Sequence, residues 1–205
     1  MKRFVSLGVV ALMLALAIPA GASTFIGLSK AELVAQSDAV VQGEVMKVES
    51  FWTPSGRLIV TQAMVRVTET IAGEAPTVVM LRTYGGTVDG YTIEAHGFPT
   101  FKQGDRLLVF LQNQQDGSAE VTGYRQGQYQ VVRDKAGVEF AVPTVEKGVR
   151  LLTLQGQEAP RPQPVRLDTF KNEIQALAER GGRIGCAGIC LGGGEATAVV
   201  LERLG

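Results

Sequence analysis

Residues 39–71 constrain what this chain can become more than any other stretch. They read as two long β-segments, 39–52 and 58–71, joined by Thr53-Pro54-Ser55-Gly56-Arg57. In the second segment Ile59, Thr61, Ala63, Val65, Val67 and Ile71 share one parity, and Gln62, Arg66, Thr68 and Thr70 share the other. Period 2 of this kind marks a strand with one buried face. The first segment changes phase: Val41, Gly43 and Val45 fall on one face, Met46, Val48 and Trp52 on the opposite one. A bulge or sharp bend near 43–47 reconciles its two halves. A long, bent hairpin suits a small closed barrel better than a flat sheet.

The chain opens on a different kind of signal. Lys2 and Arg3 precede an apolar run from Phe4 to Ile18, and Pro19-Ala20-Gly21-Ala22 ends in a small-x-small pattern. This predicts a signal peptide over residues 1–22, cleaved after Ala22, and an exported protein, periplasmic or extracellular. The run is short for a bilayer span, which needs about 20 apolar residues, and no second run is long enough. No membrane span is therefore expected after cleavage. Basic and acidic residues balance at 20 each, and loss of Lys2 and Arg3 leaves the mature chain slightly acidic. Such a charge draws neither nucleic acid nor an anionic membrane surface.

The mature chain divides by pattern. Residues 23–154 read as one β-barrel domain, preceded by a short lead-in. Ser29-Lys30-Ala31-Glu32 is a capping box that starts a short helix. After the hairpin, 77–84 is an apolar strand expected to be covered on both faces. Residues 87–95 read as a short strand between Gly85-Gly86 and later turns. Residues 106–112 (RLLVFLQ) are the most continuously apolar strand and hence central. Shorter strands follow at 120–124, 128–133 and 138–142. This succession of short strands with regular turn signals predicts an all-β barrel or sandwich. Residues 155–166 form a proline-rich linker. Residues 167–180 then read as one amphipathic helix, with Asp168 as cap candidate and Phe170, Ile174, Leu177 and Ala178 on one face. It should dock on the barrel or on a partner. Residues 181–205 read as a glycine-rich flexible tail. The tail holds the two cysteines, Cys186 and Cys190, either bridged to each other or left as free thiols.

The order of these features resembles a known barrel. A short helix leads to Ser37-Asp38-Ala39-Val40-Val41-x-Gly43-x-Val45, a second long strand, then Ile71-Ala72-Gly73. A glycine-punctuated third region leads to Phe101-x-x-Gly104-Asp105-x-Leu107-Leu108-Val109-Phe110-Leu111. Over about 28–142 this is similar to the OB-like barrel of netrin-type modules and tissue inhibitors of metalloproteinases, and to a domain common in exported bacterial proteins of unassigned function. The resemblance implies a small OB-like β-barrel. In the inhibitors an N-terminal Cys chelates the target's zinc. Here cleavage leaves Ser23, and the framework cysteines are absent, so the inhibitory residues are not carried over.

No catalytic constellation emerges from the residues. His96 is the single histidine, and none of the mature serines sits in a nucleophile elbow. His96 has no Cys or acidic neighbour at metal-ligand spacing. Gly85-Gly86-x-x-x-Gly90 lacks the helix and Lys-Ser/Thr of a phosphate-binding loop. Asp89 and Glu94 could serve as an acid–base pair only if the fold brings them together. No cofactor and no metal is therefore expected. The aromatic residues Trp52, Tyr84, Tyr91 and Phe98, with His96 among them, fall at strand ends and loops and are the candidate binding residues. Phe101 reads as a barrel plug. The expected function is a non-enzymatic protein- or peptide-binding module. A regulator of an exported protease, as inhibitor or accessory factor, is the alternative, and an enzyme of unrecognised type the third reading.

Overall fold

A computed structural model describes residues 23–180, and the backbone of two further segments, Ile184–Leu191 and Glu195–Glu202. The signal peptide expected at residues 1–22 lies outside the described residues. In chain order the first elements are β1 (Thr24–Ile26), α1 (Lys30–Ala35), β2 (Ala39–Trp52), β3 (Ile59–Gly73) and β4 (Val78–Tyr84). Next come β5 (Gly86–Val88), β6 (Tyr91–Ile93), β7 (Arg106–Asn113) and β8 (Ala119–Val121). A 3₁₀ turn at Tyr124–Gly127 leads to β9 (Gln128–Arg133), β10 (Glu139–Pro143) and β11 (Arg150–Leu152). β12 (Val165–Arg166) runs into α2 (Leu167–Glu179), and β13 (Ile184–Leu191) and β14 (Glu195–Glu202) end the series.

The hairpin expected from period 2 is the backbone of the fold. β2 and β3 pair along their whole length, from Ala39 opposite Gly73 to Trp52 opposite Ile59. The register shifts at Val40/Val41, at Gln42/Gly43 and between Val45 and Lys47. These irregularities produce the change of phase read in the sequence. The bend lets the sheet curl, because each bulge adds twist and swings one strand across its neighbour. β2 pairs with β7, β3 with β4, and β7 with β8, all antiparallel. A parallel bridge from Leu81 of β4 to Ala119 of β8 closes the ring. The result is a closed five-stranded mixed barrel of the OB-like kind.

β7 shows why its sequence is apolar at every position from Leu107 to Leu111. Leu107, Val109 and Leu111 point into the barrel with Val41, Val65 and Leu81. Leu108 and Phe110 point the other way, into a second core with Tyr129, Val131, Phe170 and Ile174. The outer edge of β7 is also divided. Its last residues pair with β8 and close the barrel, whereas Leu107–Val109 pair with β9. β9, β10 and β12 therefore leave the barrel as a flap, and α2 covers it.

α2 packs as its stripe predicts. Phe170 and Ile174 are fully buried, Leu167 joins them, and Leu177 and Ala178 are half-buried. Asp168 is not the cap. The capping position is Arg166, which makes no side-chain bond to the helix end, and Asp168 sits in the first turn. Its carboxyl is held at about 2, chiefly by hydrogen bonding from Arg166 and then by the Thr169 amide. At α1 the capping box is complete: the Glu32 amide donates to Ser29 Oγ at 3.2 Å, and the Ser29 amide donates to Glu32 Oε2 at 2.7 Å.

Several expectations need correction. β4 buries one face, through Val79, Leu81 and Thr83, and leaves Met80 and Arg82 half-covered, because among the described residues no layer packs outside it. Residues 87–95 are not one strand. They fold as the β5–β6 hairpin around Asp89 and Gly90, both left-handed at φ 50° and 82°. The lead-in is a strand: β1 lies parallel to β11, with Phe25 opposite Leu151. The proline-rich stretch is lashed to the surface. The Ala159 amide donates to Leu151 O at 2.8 Å, the Arg161 guanidinium donates to the carbonyls of Glu146, Lys147 and Val149, and Val165 pairs with Ala141. The tail read as flexible contains the antiparallel pair β13–β14. Ile184, Ile189, Thr197, Val199 and Val200 give it the β-branched residues common in strands, despite its many glycines. The side chains of Cys186 and Cys190 lie outside those described.

Candidate functional site

The five candidate residues resolve into two groups. Trp52, at the end of β2, meets Tyr91 of β6 edge-on, with ring centroids 6.1 Å apart. Tyr84, at the end of β4, meets Phe98 at 5.5 Å in a T-shaped arrangement. The second contact is part of something larger. Phe98 meets Tyr124 at 4.8 Å, and Tyr124 meets Phe25 at 5.3 Å. The order Tyr84–Phe98–Tyr124–Phe25 is a continuous row of rings assembled from four chain segments. Tyr84 is 48% exposed and Tyr124 43%, whereas Phe98 and Phe25 are half-buried, so the row opens to solvent at its two tyrosines. Phe101, by contrast, is buried in the barrel core, as a plug should be.

Phe25 and Tyr124 were not foreseen in the sequence. Phe25 fell in the lead-in, and Tyr124 was assigned to a strand over 120–124. The available signal was Gly123, directly before Tyr124, and Gly127 after it. Both Gly123 and Tyr124 are left-handed, at φ 63° and 59°. For a residue with a Cβ this costs roughly 1–2 kcal/mol. The strain is held at a ring that stands between two others at the surface, where unusual backbone often marks function.

The three residues at the start of the 3₁₀ turn each fix a different neighbour. Tyr124 supplies the central ring. The side chain of Gln126 accepts from the Leu28 amide at 2.7 Å and donates to Ile26 O at 2.9 Å, which pins β1 and so Phe25. Arg125, only 13% exposed, gathers the loop that carries Phe98. Its guanidinium donates to Phe98 O and to Thr100 Oγ1, each at 2.7 Å, and to Thr144 O at 3.3 Å. It also pairs with Glu146 at 3.1 Å. Gly97 completes the seating of Phe25, since a Cβ there would lie 2.3 Å from the Phe25 ring.

We expect Arg125→Ala to lower stability by about 2–4 kcal/mol, because several charge-assisted bonds in a nearly closed site are lost at once. Arg125→Lys should recover little, since an ammonium cannot reproduce the planar fork. Urea midpoints of the two variants check this. A loss under 1 kcal/mol for Arg125→Ala would show that the loop holds itself.

His96 lies beside the row rather than in it. Its Nδ1 is 3.6 Å from Glu146 and its Nε2 is 4.0 Å from Glu94, and the side chain is 61% exposed. The hydroxyls of Ser37, Ser50 and Ser118 bond elsewhere, to Leu33 O and Thr122, to Thr61, and to Asp116. Asp89 stands at the tip of the β5–β6 hairpin, while Glu94 faces His96. Among the described residues, no group of three or more His, Cys, Asp or Glu is placed to hold a metal ion.

Cavities bear on what could bind. The cleft beneath the row, between Phe25, Tyr124, Glu146 and Leu151, has a volume of about 10 Å³, room for about one water. A ligand of the row must therefore lie on it, not under it. A larger open groove of about 560 Å³ flanks the start of α2. Its charged side chains are paired, Lys171 with Glu69, Arg166 with Asp168, and Glu139 with Arg106 and Arg133. The row is thus the better candidate: at Tyr84 and Tyr124 it presents ring surface that no described residue covers. No helix among the described residues is long and apolar enough to cross a membrane.

No family model, curated protein or solved structure matches the chain. The likeness to OB-like barrels rests on strand order and closure.

Proposed function

We propose that the chain is an exported, non-enzymatic β-barrel module that binds a protein or peptide segment along the Tyr84–Phe98–Tyr124–Phe25 row. One observation carries the reading: four rings from separate segments meet in edge-to-face and tilted contacts and are held by Arg125 and Gln126, with Tyr84 and Tyr124 exposed. Binding hot spots are rich in Tyr, Trp and Arg because rigid aromatics give large contact area with little entropy loss. The edge-to-face geometry leaves ridges and notches instead of a flat platform. Such relief suits apolar side chains of an extended peptide better than stacked nucleobases. The leader supports export, and the closed barrel supports kinship of fold with netrin-type modules. Zinc chelation of the inhibitor kind is no part of the proposal, because the framework cysteines are absent and the Ser23 carbonyl, one of the two groups such chelation uses, accepts from the Arg150 amide.

The test is selection from a displayed library of random peptides on residues 23–205. Peptides with aromatic or aliphatic anchors should be enriched. Tyr84→Ala with Tyr124→Ala should weaken the selected peptides by at least about thirtyfold, the scale of a 2 kcal/mol hot spot. The melting temperature of that variant should fall by only a few degrees, since both rings are exposed. Trp52→Ala with Tyr91→Ala should leave binding within about threefold. No enrichment, or equal enrichment on the Tyr84/Tyr124 variant, removes the row as the binding face.

A further inference from the structure

β13 and β14 form a two-stranded sheet paired with no other strand among the described residues. An isolated hairpin is marginal in water, and its open edges are templates for another strand. β13 carries no charged residue, and in β14 only the terminal Glu195 and Glu202 are charged. β13 also packs beside α1, but its outer edge has no strand partner among the described residues and is free to take one.

The cysteines indicate which one. Cys186 and Cys190 stand four positions apart on one extended strand, so their Cα atoms are about 13 Å apart at 3.3 Å per residue. A disulfide requires less than about 7 Å. While β13 is extended the two cannot bridge each other, and their register partners on β14 are Val200 and Ala196. Both lie two positions from Gly188. When β13 is laid antiparallel on β13 of a second copy, with the two-fold axis at Gly188, Cys186 falls opposite Cys190 of the second copy, twice by symmetry. Opposed Cα atoms in such a ladder are about 4.5 or 5.5 Å apart. Both spacings lie within the range of about 4.4–6.8 Å that disulfides span. Gly188 meets itself on the axis, where no Cβ obstructs the approach, and the isologous closure leaves no open-ended chain of copies.

We propose that β13 pairs with β13 of a second copy about Gly188, giving a four-stranded sheet closed by two symmetric Cys186–Cys190 disulfides between copies. Each bridge forms by thiol–disulfide exchange: two thiols lose two protons and two electrons, and the disulfide of an exported thiol oxidant is reduced to a dithiol. The inference rests on the export reading, because a reducing cytosol would keep the thiols free.

The full chain, with its leader, is expressed and fractionated, and free thiols are alkylated before non-reducing electrophoresis and intact mass analysis. A dimer of twice the mass of the leader-cleaved chain is expected, with no alkylated thiol and a Cys186–Cys190 crosslink in its peptide map. Cys186→Ser alone and Cys190→Ser alone should each abolish the covalent dimer, since neither remaining cysteine faces its own copy. Co-expression of the two variants should restore a covalent heterodimer through the one complementary pair. An oxidised monomer, a leader-cleaved monomer with two alkylatable thiols, or a covalent dimer that persists in either single variant would overturn the proposal. Reduced, purified protein oxidised with oxidised glutathione separates the two readings. If it forms the same crosslink while the cellular protein is reduced and uncleaved, export fails and the pairing stands.

Discussion

Phe170→Ala should destabilise the protein by about 3–5 kcal/mol, the usual cost of emptying a buried aromatic site. Phe170 is 1% exposed and is the point where both layers of the flap meet the helix. Its ring lies 4.6 Å from Tyr129 and 6.3 Å from Phe110, so β9, β7 and α2 share one aromatic cluster. Burial in this cluster also pushes the Tyr129 hydroxyl up to about 12. Lys30 of α1 lies over the Phe170 ring at 4.9 Å and pairs with Glu173, which adds a fourth element. Domains of this size are stable by only about 5–15 kcal/mol, so the loss is a large fraction of the total. At about 2–4 °C per kcal/mol, the melting temperature should fall by roughly 10 °C. Phe170→Leu keeps most of the volume and should cost about 1.5 kcal/mol or less. Because β7 lines both cores, barrel and flap should unfold together, with ellipticity and Trp52 fluorescence changing at one midpoint. A loss below 1 kcal/mol, or two separate transitions, would show that α2 contributes little to the barrel.

What could be read from the sequence followed from locality. The capping box needs only four consecutive residues, and it is present as read. The phase change in 39–52 needs one strand and its parity, and one register shift, between Val45 and Lys47, lies where it placed the bend, with two more upstream. β7 declared itself central because both of its faces are apolar, which requires cover on both sides. Closure of the barrel was not legible as a particular pairing. It hangs on a single parallel bridge between Leu81 and Ala119, and a lone bridge leaves no periodicity. β1 and β11 stand at opposite ends of the domain, and three residues each are too few to show a pattern. The aromatic row was half legible for the same reason. Tyr84 and Phe98 were flagged by their position at strand ends, but Tyr124 reaches them only through two successive left-handed residues. A left-handed tyrosine has no compositional signature beyond the glycine before it.

Gly43→Val should be the more damaging of the two core substitutions, and Gly43→Ala already should cost about 3 kcal/mol, the upper range for overpacking a filled interior. Gly43 is paired on both edges, with Val67 of β3 and Leu107 of β7. A Cβ built there would lie 2.6 Å from Arg66 O and 2.6 Å from Val65 Cγ1. Val65 is fully buried in the barrel core and has no free rotamer space to yield. The Arg66 carbonyl belongs to the β3 ladder itself, so relief there means separating β2 from β3 where the bulges bend the hairpin. Valine would add two methyl groups to the same clash, and we expect it to prevent native closure, giving collapsed amide dispersion in NMR spectra and no cooperative urea transition. Gly56→Ala is the matched control: its φ is +67°, but open space surrounds it, so its cost should stay near 1 kcal/mol. If Gly43→Ala unfolds within 0.5 kcal/mol of the parent, the bend in β2 is not set at Gly43. The arm that carries Trp52 would then owe its direction to the shift between Val45 and Lys47. If the full loss is found, the absence of a side chain at Gly43 lets one continuous hairpin serve both as barrel wall and as the arm presenting Trp52 to Tyr91.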